Sequence, residues 1–276
     1  MEQEKIITDV FESPTQDEWD RYLSSHIFDK MLIDTSYITC SKDITSIIAF
    51  ELIKSDIQAH NNMIGSIKIS YCLSKHYFNK GIPDDEWFIS PGHDGSSVEY
   101  MPHFSPDDYL TRYWFSFYTE NLYGKLFTSL DSLYHIVNDY YELQVPKKFG
   151  YIKNILSKIE NTHSELYAIL SSVKDNPIYN KASEYRNDII HGISPSEVKN
   201  EIVIKRNVEA EEMKADDTGL ISPQKKLARL VISGRIGDYV TTKELMNAVD
   251  KLIEYLGDVI SESINIISKE PFSVKI

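Results

Sequence analysis

The chain has few cysteines and fewer basic than acidic residues. Its two cysteines, Cys40 and Cys72, are too few for a disulfide framework and have no metal-ligand spacing. There are 29 Lys and Arg against 42 Asp and Glu, which gives a net charge of −13. Because nonspecific affinity for nucleic acid comes from neutralising many phosphates, this balance argues against broad nucleic-acid binding. Any RNA contact must therefore use a local basic patch.

Long apolar runs and several enzyme motifs are also missing. No run of about 18 apolar residues occurs, and residues 1–5 are too acidic for the start of a secretory signal. We therefore expect a cytoplasmic protein that does not interact with a membrane. The chain has no glycine-rich phosphate loop, no Cys-x-x-Cys pair and no Gly-x-Ser-x-Gly elbow, which sets aside P-loop nucleotide hydrolases and α/β-hydrolases.

Helical periodicity dominates the residues that are present. Apolar residues recur at helical spacing in six segments, and Ser13, Ser105 and the Thr241-x-x-Glu244 capping box mark helix starts. The predicted helices cover residues 14–28, 44–77, 108–141, 151–173, 177–191 and 242–268. The sequence predicts an all-α protein with a four-helix bundle over 105–276, on which the helices and loop of 1–104 pack. Within the second helix, Asn61, Asn62 and Gly65 are candidate kink positions.

Residues 81–106 interrupt the helical pattern. They hold several prolines and glycines but also large aromatic residues such as Trp87 and Tyr100, which a disordered linker would lack. We expect a long ordered loop that its aromatics pin to the body of the protein. His93 and His103 lie in it without a third ligand at a telling spacing, so no metal site is predicted.

A second interruption follows residue 192. A charged insertion at about 195–222 is expected to be exposed and mobile, with a short strand at 201–205. The densest basic segment of the chain comes next. It is either a solvated helix face or an RNA backbone contact, and its basic residues are Lys225, Lys226, Arg229 and Arg235.

The segment 176–192 is a short helix with clear signals at both ends. Asn176 suits an N-cap, Pro177 suits the first helical position, and Gly192 can take the left-handed conformation that ends a helix. The apolar residues of this helix recur at steps of four, three and four and form one narrow stripe; they are Ile178, Ala182, Tyr185 and Ile189. The opposite face is polar and holds Asn180, Glu184, Asn187 and His191.

Arg186, Asn187 and His191 gather a guanidinium, an amide and an imidazole at the end of this helix. Arg186 lies about 80° from the apolar stripe, so its long side chain can turn toward the polar face. Cleavage of an RNA phosphodiester needs a group that moves a proton and a cation that holds the charge on the phosphoryl oxygens. Imidazole suits the first task and guanidinium the second, while Asn187 can orient the ring or the phosphate. This chemistry requires no metal or other cofactor.

The pattern from Arg186 to His191 resembles the Arg, polar residue, three residues, His motif of the HEPN superfamily (higher eukaryote and prokaryote nucleotide-binding domain). That resemblance implies an up-and-down four-helix bundle with the motif late in the chain. It also implies a metal-independent endoribonuclease of a toxin or defence system, in which two copies of the motif face each other in a homodimer. An antitoxin or another regulatory protein is an implied partner. A second Arg-x4-His pattern, Arg21 to His26, has no polar residue after the Arg.

An alternative to catalysis remains open. A buried Arg186 paired with an acidic residue and a helix-capping His191 would give the same sequence pattern. The domain would then be a non-catalytic HEPN-like module for binding or dimerisation. Four further residues are candidates to support the motif, three along one stripe of the long helix and one beside Arg186; they are Glu120, Asp131, Asn138 and Glu184.

Overall fold

Helices make up most of the structure, a computed structural model that describes residues 11–93, 95–199, 201–215, 221–235 and 238–274. The helices are α1 (Gln16–Leu23), α2 (Ile44–Asn79), α3 (Pro106–Tyr140), α4 (Tyr151–Ile159), α5 (Ser164–Ser172), α6 (Pro177–His191) and α7 (Thr242–Ile267). Short 3-10 turns cover Asp29–Met31, Thr35–Tyr37 and Val173–Asp175. The predicted all-α class is confirmed. Within the described residues, no helix combines the length and apolarity needed to cross a membrane.

Capping boxes fix the starts of three helices. Ser105 and Thr241 each accept a hydrogen bond from the backbone N–H three residues on, and the acidic side chain there bonds back, as the sequence predicts for Thr241. The same box at Thr15 starts α1, so the predicted cap at Ser13 is wrong. The helix also ends at Leu23 and not near residue 28, because the chain turns at His26, where φ is +52°.

The core forms around the antiparallel pair α2 and α3. Contacts between them run in opposite chain directions: Tyr77 stacks on Trp114, and His60 contacts Ser132 farther along. Helix α2 passes through Asn61, Asn62 and Gly65 without ending. The amide of Asn61 instead bonds across to the backbone of Ile33, at 3.0 Å from the Ile33 N–H and 2.8 Å from its carbonyl oxygen. This side chain therefore joins the N-terminal segment to the core.

The predicted third helix, 151–173, is two helices. Helix α4 ends at Ile159 and α5 begins at Ser164. Between them, the Thr162 hydroxyl donates to the Lys158 carbonyl at 3.1 Å, and the His163 ring lies 3.8 Å from that of Tyr141. Local hydrogen bonds of this kind compete with helical ones, and Asn161 and Thr162 are weak helix formers.

The loop of residues 81–106 contains a small hairpin. Strands β1 (Phe88–Ile89) and β2 (Glu99–Tyr100) pair antiparallel, with Phe88 opposite Tyr100. The Trp87 ring stacks 6.1 Å from that of Tyr100. Aromatic packing within the loop thus orders it. His93 and His103 contact single carboxylates, those of Glu99 and Glu86.

The chain divides into two compact units. One runs to Gly192 and resumes at Thr241; the other is Ile193–Val240. Helices α2 and α3 both lie in the first unit, and the predicted division at 104/105, with the first part packed on the bundle, stays a prediction. In the second unit, β3 (Glu201–Ala215) and β4 (Ile221–Arg235) pair antiparallel, which extends the short strand predicted at 201–205. The mobility expected of the insertion at 195–222 stays a prediction.

Candidate functional site

Helix α6 has the ends that its sequence predicts. The Asn176 side-chain oxygen accepts from the backbone N–H groups of Ile178 at 2.9 Å and Tyr179 at 3.3 Å. At the other end, the Gly192 N–H donates to the Asp188 carbonyl at 2.9 Å. Gly192 has φ −137° and ψ −136° and not the predicted left-handed conformation, and this non-helical backbone ends the helix after its last i→i−4 bond. The span 177–191 is confirmed.

The apolar stripe of α6 packs against α3 and α7. Ala182 and Tyr185 are buried, while Ile178 and Ile189 are half-buried. The Tyr185 ring meets Tyr123 of α3 edge-on, with 6.0 Å between ring centroids. This contact fixes the rotation of α6 about its own axis and so decides which residues flank the interface with α3.

Arg186 lies on that flank, over an aromatic surface. Its guanidinium carbon is 5.5 Å from the centroid of the Phe127 ring, which lies 5.0 Å from the ring of Tyr179. The Nε atom of Arg186 is buried and has no hydrogen-bond partner. A guanidinium held on aromatic faces is attracted to the ring quadrupole while its outer N–H groups stay free for another acceptor.

Asp131 lies one helical turn beyond Phe127 on α3. Its pKa is raised because neighbouring atoms desolvate the carboxylate, and the charges of Arg186 and His135 act against that rise. Within the described residues, Asp131 and Arg186 form no ion pair, because no carboxylate oxygen of Asp131 lies within 4.0 Å of a guanidinium nitrogen of Arg186. The arginine is therefore not locked against an acidic neighbour, which the alternative of a structural motif requires.

Asn187 and His191 lie on the solvent side of α6. Both are exposed and one turn apart, and His191 is the last residue of the helix. Arg186 and His191 are about 140° apart around the axis, at about 100° per residue. Glu184 is exposed and pairs loosely with Lys181 at 3.6 Å. The structure thus places amide and imidazole together on one face and the guanidinium on the flank.

Only one of the three candidates along α3 lies near this cluster. Asn138 is buried. It lies seven residues beyond Asp131, which is about 10 Å along the axis of α3. Its side-chain oxygen accepts from the Val145 N–H at 2.9 Å and its amide donates to Asp139 at 2.8 Å, so it holds the turn after α3. Glu120 is half-buried eleven residues before Asp131, about 16 Å away along the axis. Residues that share a stripe of a long helix are still spread along its length.

The basic segment after residue 222 forms a strand and not a helix face. Strand β4 contains the backbones of Lys225, Lys226, Arg229 and Arg235, whose side chains lie outside the described part of the structure. Their contact with RNA stays a prediction. Within the described residues, no three or more His, Cys, Asp or Glu side chains form a group that would hold a metal ion.

Two residues of this neighbourhood were not predicted from the sequence. Phe127 supports the guanidinium, and His135, one turn after Asp131, bonds through Nδ1 to the Tyr151 hydroxyl at 2.8 Å. Both lie on the same face of α3, at steps of four from each other through Asp131. The four-residue spacing could have indicated that these residues lie together, but the predominantly apolar pattern of α3 made it hard to recognise.

The fold and this cluster define an all-α bundle protein with an Arg-Asn-x-x-x-His pattern at the end of a short helix. The model of the Cthe2314-like HEPN family matches residues 57–263, more than half of the chain, and the protein belongs to this HEPN family. The match begins within α2 and ends within α7, so it includes α6. No curated protein and no solved structure gives a significant match.

Proposed function

We propose that the protein is a metal-independent endoribonuclease that acts through Arg186, Asn187 and His191. The observation that carries the proposal is the state of Arg186: its guanidinium makes no ion pair with a described residue and rests on Phe127, at the end of the helix that presents His191 to solvent. Membership of a HEPN family supports a nucleotide-binding or nuclease module.

In the proposed reaction, the ribose 2′ oxygen attacks phosphorus and the bond from phosphorus to the 5′ oxygen breaks. A base takes the 2′ proton, and His191 as imidazolium gives a proton to the departing 5′ oxygen. Arg186 donates to the equatorial phosphoryl oxygens, on which charge accumulates. Asn187, one turn before His191, orients the imidazole. The products are a 2′,3′-cyclic phosphate and a free 5′ hydroxyl.

A homodimer is part of this proposal. Arg186 and His191 leave α6 in different directions, so a second copy of the motif facing the first would supply the complementary group to the same phosphate. The proposal of a toxin or defence role follows from the same activity, because free ribonuclease harms its own cell unless an antitoxin or regulator restrains it. Expression should arrest growth for the wild type and not for His191→Ala.

The decisive assay is cleavage of single-stranded RNA with a chelator present. Wild type should produce cyclic phosphate ends. Arg186→Ala and His191→Ala should each lose about 10²–10⁴ in rate, the size expected for removal of an oxyanion donor or a general acid. Equal activity in all three proteins, or none in any, would remove the nuclease proposal.

The second Arg-x4-His pattern provides a matched control. Arg21 lies near the end of α1 and His26 just after it; both are exposed, and the His26 ring pairs with Asp29 three residues on, at 2.8 Å. The double variant Arg21→Ala/His26→Ala removes the same two side-chain types and should cleave RNA at the wild-type rate. A matching loss in this control would mean that the assay reports folding or general charge.

The alternative is a non-catalytic module that binds a second copy of the chain. It is favoured by an exposed apolar stripe on α2, where Ile44, Ile48 and Leu52 recur every four residues and are 65–75% exposed. Such a stripe can pack against itself across a twofold axis. Ile48→Lys/Leu52→Lys should convert a dimer to a monomer in light scattering. Loss of the dimer without loss of RNA cleavage would separate this surface from the nuclease and remove the homodimer from the nuclease proposal.

A further inference from the structure

A groove of about 510 Å³ opens beside the candidate site, at the start of α4. One wall is α3, which contributes Asp131 and His135. The other wall is the turn and first residues of α4, and Lys174 also lines the groove. Because Asp131 follows Phe127 by one turn, the groove begins about one helical turn from the aromatic ring that supports Arg186.

Three lysines line this groove without acidic partners. Lys148, Lys153 and Lys174 are exposed, and none forms an ion pair with a described residue. Six other lysines of the described chain are paired with carboxylates; they are Lys30, Lys54, Lys75, Lys80, Lys181 and Lys269. Other described lysines, Lys68, Lys125 and Lys251 among them, also form no ion pair with a described residue, but this groove brings three such positive charges together in a chain with a net charge of −13.

An aromatic side chain stands fully in solvent among these lysines. Phe149 has a relative exposure of 104%, the largest of any large hydrophobic residue in the described structure. Gly150 follows with φ +83° and caps α4 without a side chain, so the turn projects Phe149 away from the protein. A free aromatic face next to positive charge is the arrangement on which single-stranded nucleic acid stacks its bases.

A polar pair joins the two walls of the groove. The Tyr151 hydroxyl lies 2.8 Å from Nδ1 of His135. Burial raises the pKa of Tyr151 to about 12, while desolvation and the charge of Lys147 lower the pKa of His135. A protonated phenol therefore donates to a neutral ring, which leaves Nε2 of His135 as an N–H donor.

We propose that this groove binds the nucleotides of single-stranded RNA that flank the cleaved bond, with phosphates on Lys148, Lys153 and Lys174 and a base stacked on Phe149. The inference rests on the proposed function for its choice of RNA. It assigns a local basic patch, formed by α3, α4 and the turns at 148–150 and 174, to a protein whose overall charge is acidic.

The test is a binding titration of labelled single-stranded RNA against salt, with chelator present and in the His191→Ala background so that the RNA stays intact. Lys148→Gln/Lys153→Gln/Lys174→Gln should flatten the slope of log affinity against log salt by about 2, since each lost phosphate contact removes about 0.7. Phe149→Ala should weaken binding by about five- to hundredfold and leave the slope unchanged.

A matched triple variant gives the control. Lys30→Gln/Lys54→Gln/Lys269→Gln removes the same charge from exposed lysines outside the groove and should retain most of the salt slope. Equal slopes for the two triple variants, or unchanged affinity for Phe149→Ala, would overturn the proposal. Binding is measured here without cleavage. If the groove binds RNA but the wild type does not cleave it, the nuclease proposal fails and the groove proposal stands.

Inorganic phosphate and a mononucleotide, added as competitors, separate two sources of the same chemistry. A polynucleotide site spans several phosphates, so RNA should outcompete both by at least tenfold in affinity, which corresponds to about 1.4 kcal/mol. Equal affinity of mononucleotide and RNA would identify a site for a free nucleotide and overturn the assignment to a strand.

Discussion

The guanidinium carbon of Arg186 lies over the ring of Phe127, 5.5 Å from its centroid, although the two residues are 59 positions apart in the chain. Phe127 is buried and also contacts the Tyr179 ring, so it cannot follow the arginine if the latter moves. A residue of α3 thereby supports the proposed catalytic cation, while the proposed proton donor lies in solvent at the C-terminal end of α6.

Phe127→Leu should lower RNA cleavage by about three- to thirtyfold, because it keeps an apolar side chain but removes the aromatic face beneath the cation. In the Arg186→Ala background, the same change should have no further effect on cleavage, which identifies Phe127 as a positioning residue. Phe115→Leu is the control: Phe115 is also buried on α3 and contacts Phe78, so its loss should reduce stability and leave cleavage intact.

Asp131→Asn should tighten RNA binding by about two- to fivefold, because it removes a negative charge that faces both Arg186 and the lysine groove. The gain should vanish at high salt, where exposed charges are screened. Asp20→Asn, an exposed change on α1, should not alter affinity. Weaker binding by Asp131→Asn would show that the carboxylate positions Arg186 and does not compete with phosphate.

Local signals predicted the ends of α6 and the start of α7 correctly. Asn176, Pro177, Thr241 and Glu244 act within one turn of the chain, so their roles can be recognised from adjacent residues. The break after Ile159 was missed because the apolar stripe continues through it. There, the hydroxyl of Thr162 and the ring of His163 form bonds and contacts that the apolar periodicity does not report.

The direction of the Arg186 side chain, unlike the helix ends, cannot be predicted from adjacent residues. Its position on the flank of α6 follows from helical spacing, but its partner comes from α3 and depends on how Tyr185 packs against Tyr123. The same applies to the groove, because Lys148 and Lys174 meet His135 only through the tertiary fold. The motif itself can therefore be recognised in the sequence, but the residues that surround it in space are known only from the tertiary packing.

Asp84→Asn should destabilise the first compact unit by about 1–3 kcal/mol. The Asp84 carboxylate is buried and accepts from the Thr242 backbone N–H at 2.8 Å and from its hydroxyl at 3.0 Å, at the first residue of α7. An amide turned toward these donors loses one acceptor and the charge that favours a helix N-terminus. Urea denaturation measures the loss.

Asp258→Asn serves as the comparison for Asp84, because it makes the same change on α7 in an exposed pair with Lys30. It should leave the urea midpoint almost unchanged, since exposed ion pairs contribute little. Similar midpoints for the two variants would mean that the buried carboxylate does not hold the start of α7.

The free energy of unfolding should fall below about pH 6.5 in the wild type more steeply than in His60→Gln. His60 is fully buried, with Nε2 2.9 Å from the Met31 carbonyl and Nδ1 3.3 Å from the Ser132 hydroxyl, and burial lowers its pKa. As the pH falls through about 6.5, the unfolded chain binds a proton at this histidine and the folded protein does not, so the unfolded state gains stability. Glutamine has no such proton and can still donate to Met31. His135, whose pKa is also lowered, is present in both proteins and cancels in the difference. Urea titrations at a series of pH values give the free energy of unfolding of each protein against pH. The two curves should diverge by at most about 1.4 kcal/mol per unit of pKa shift. Parallel curves between pH 7 and pH 5 would contradict this account of His60.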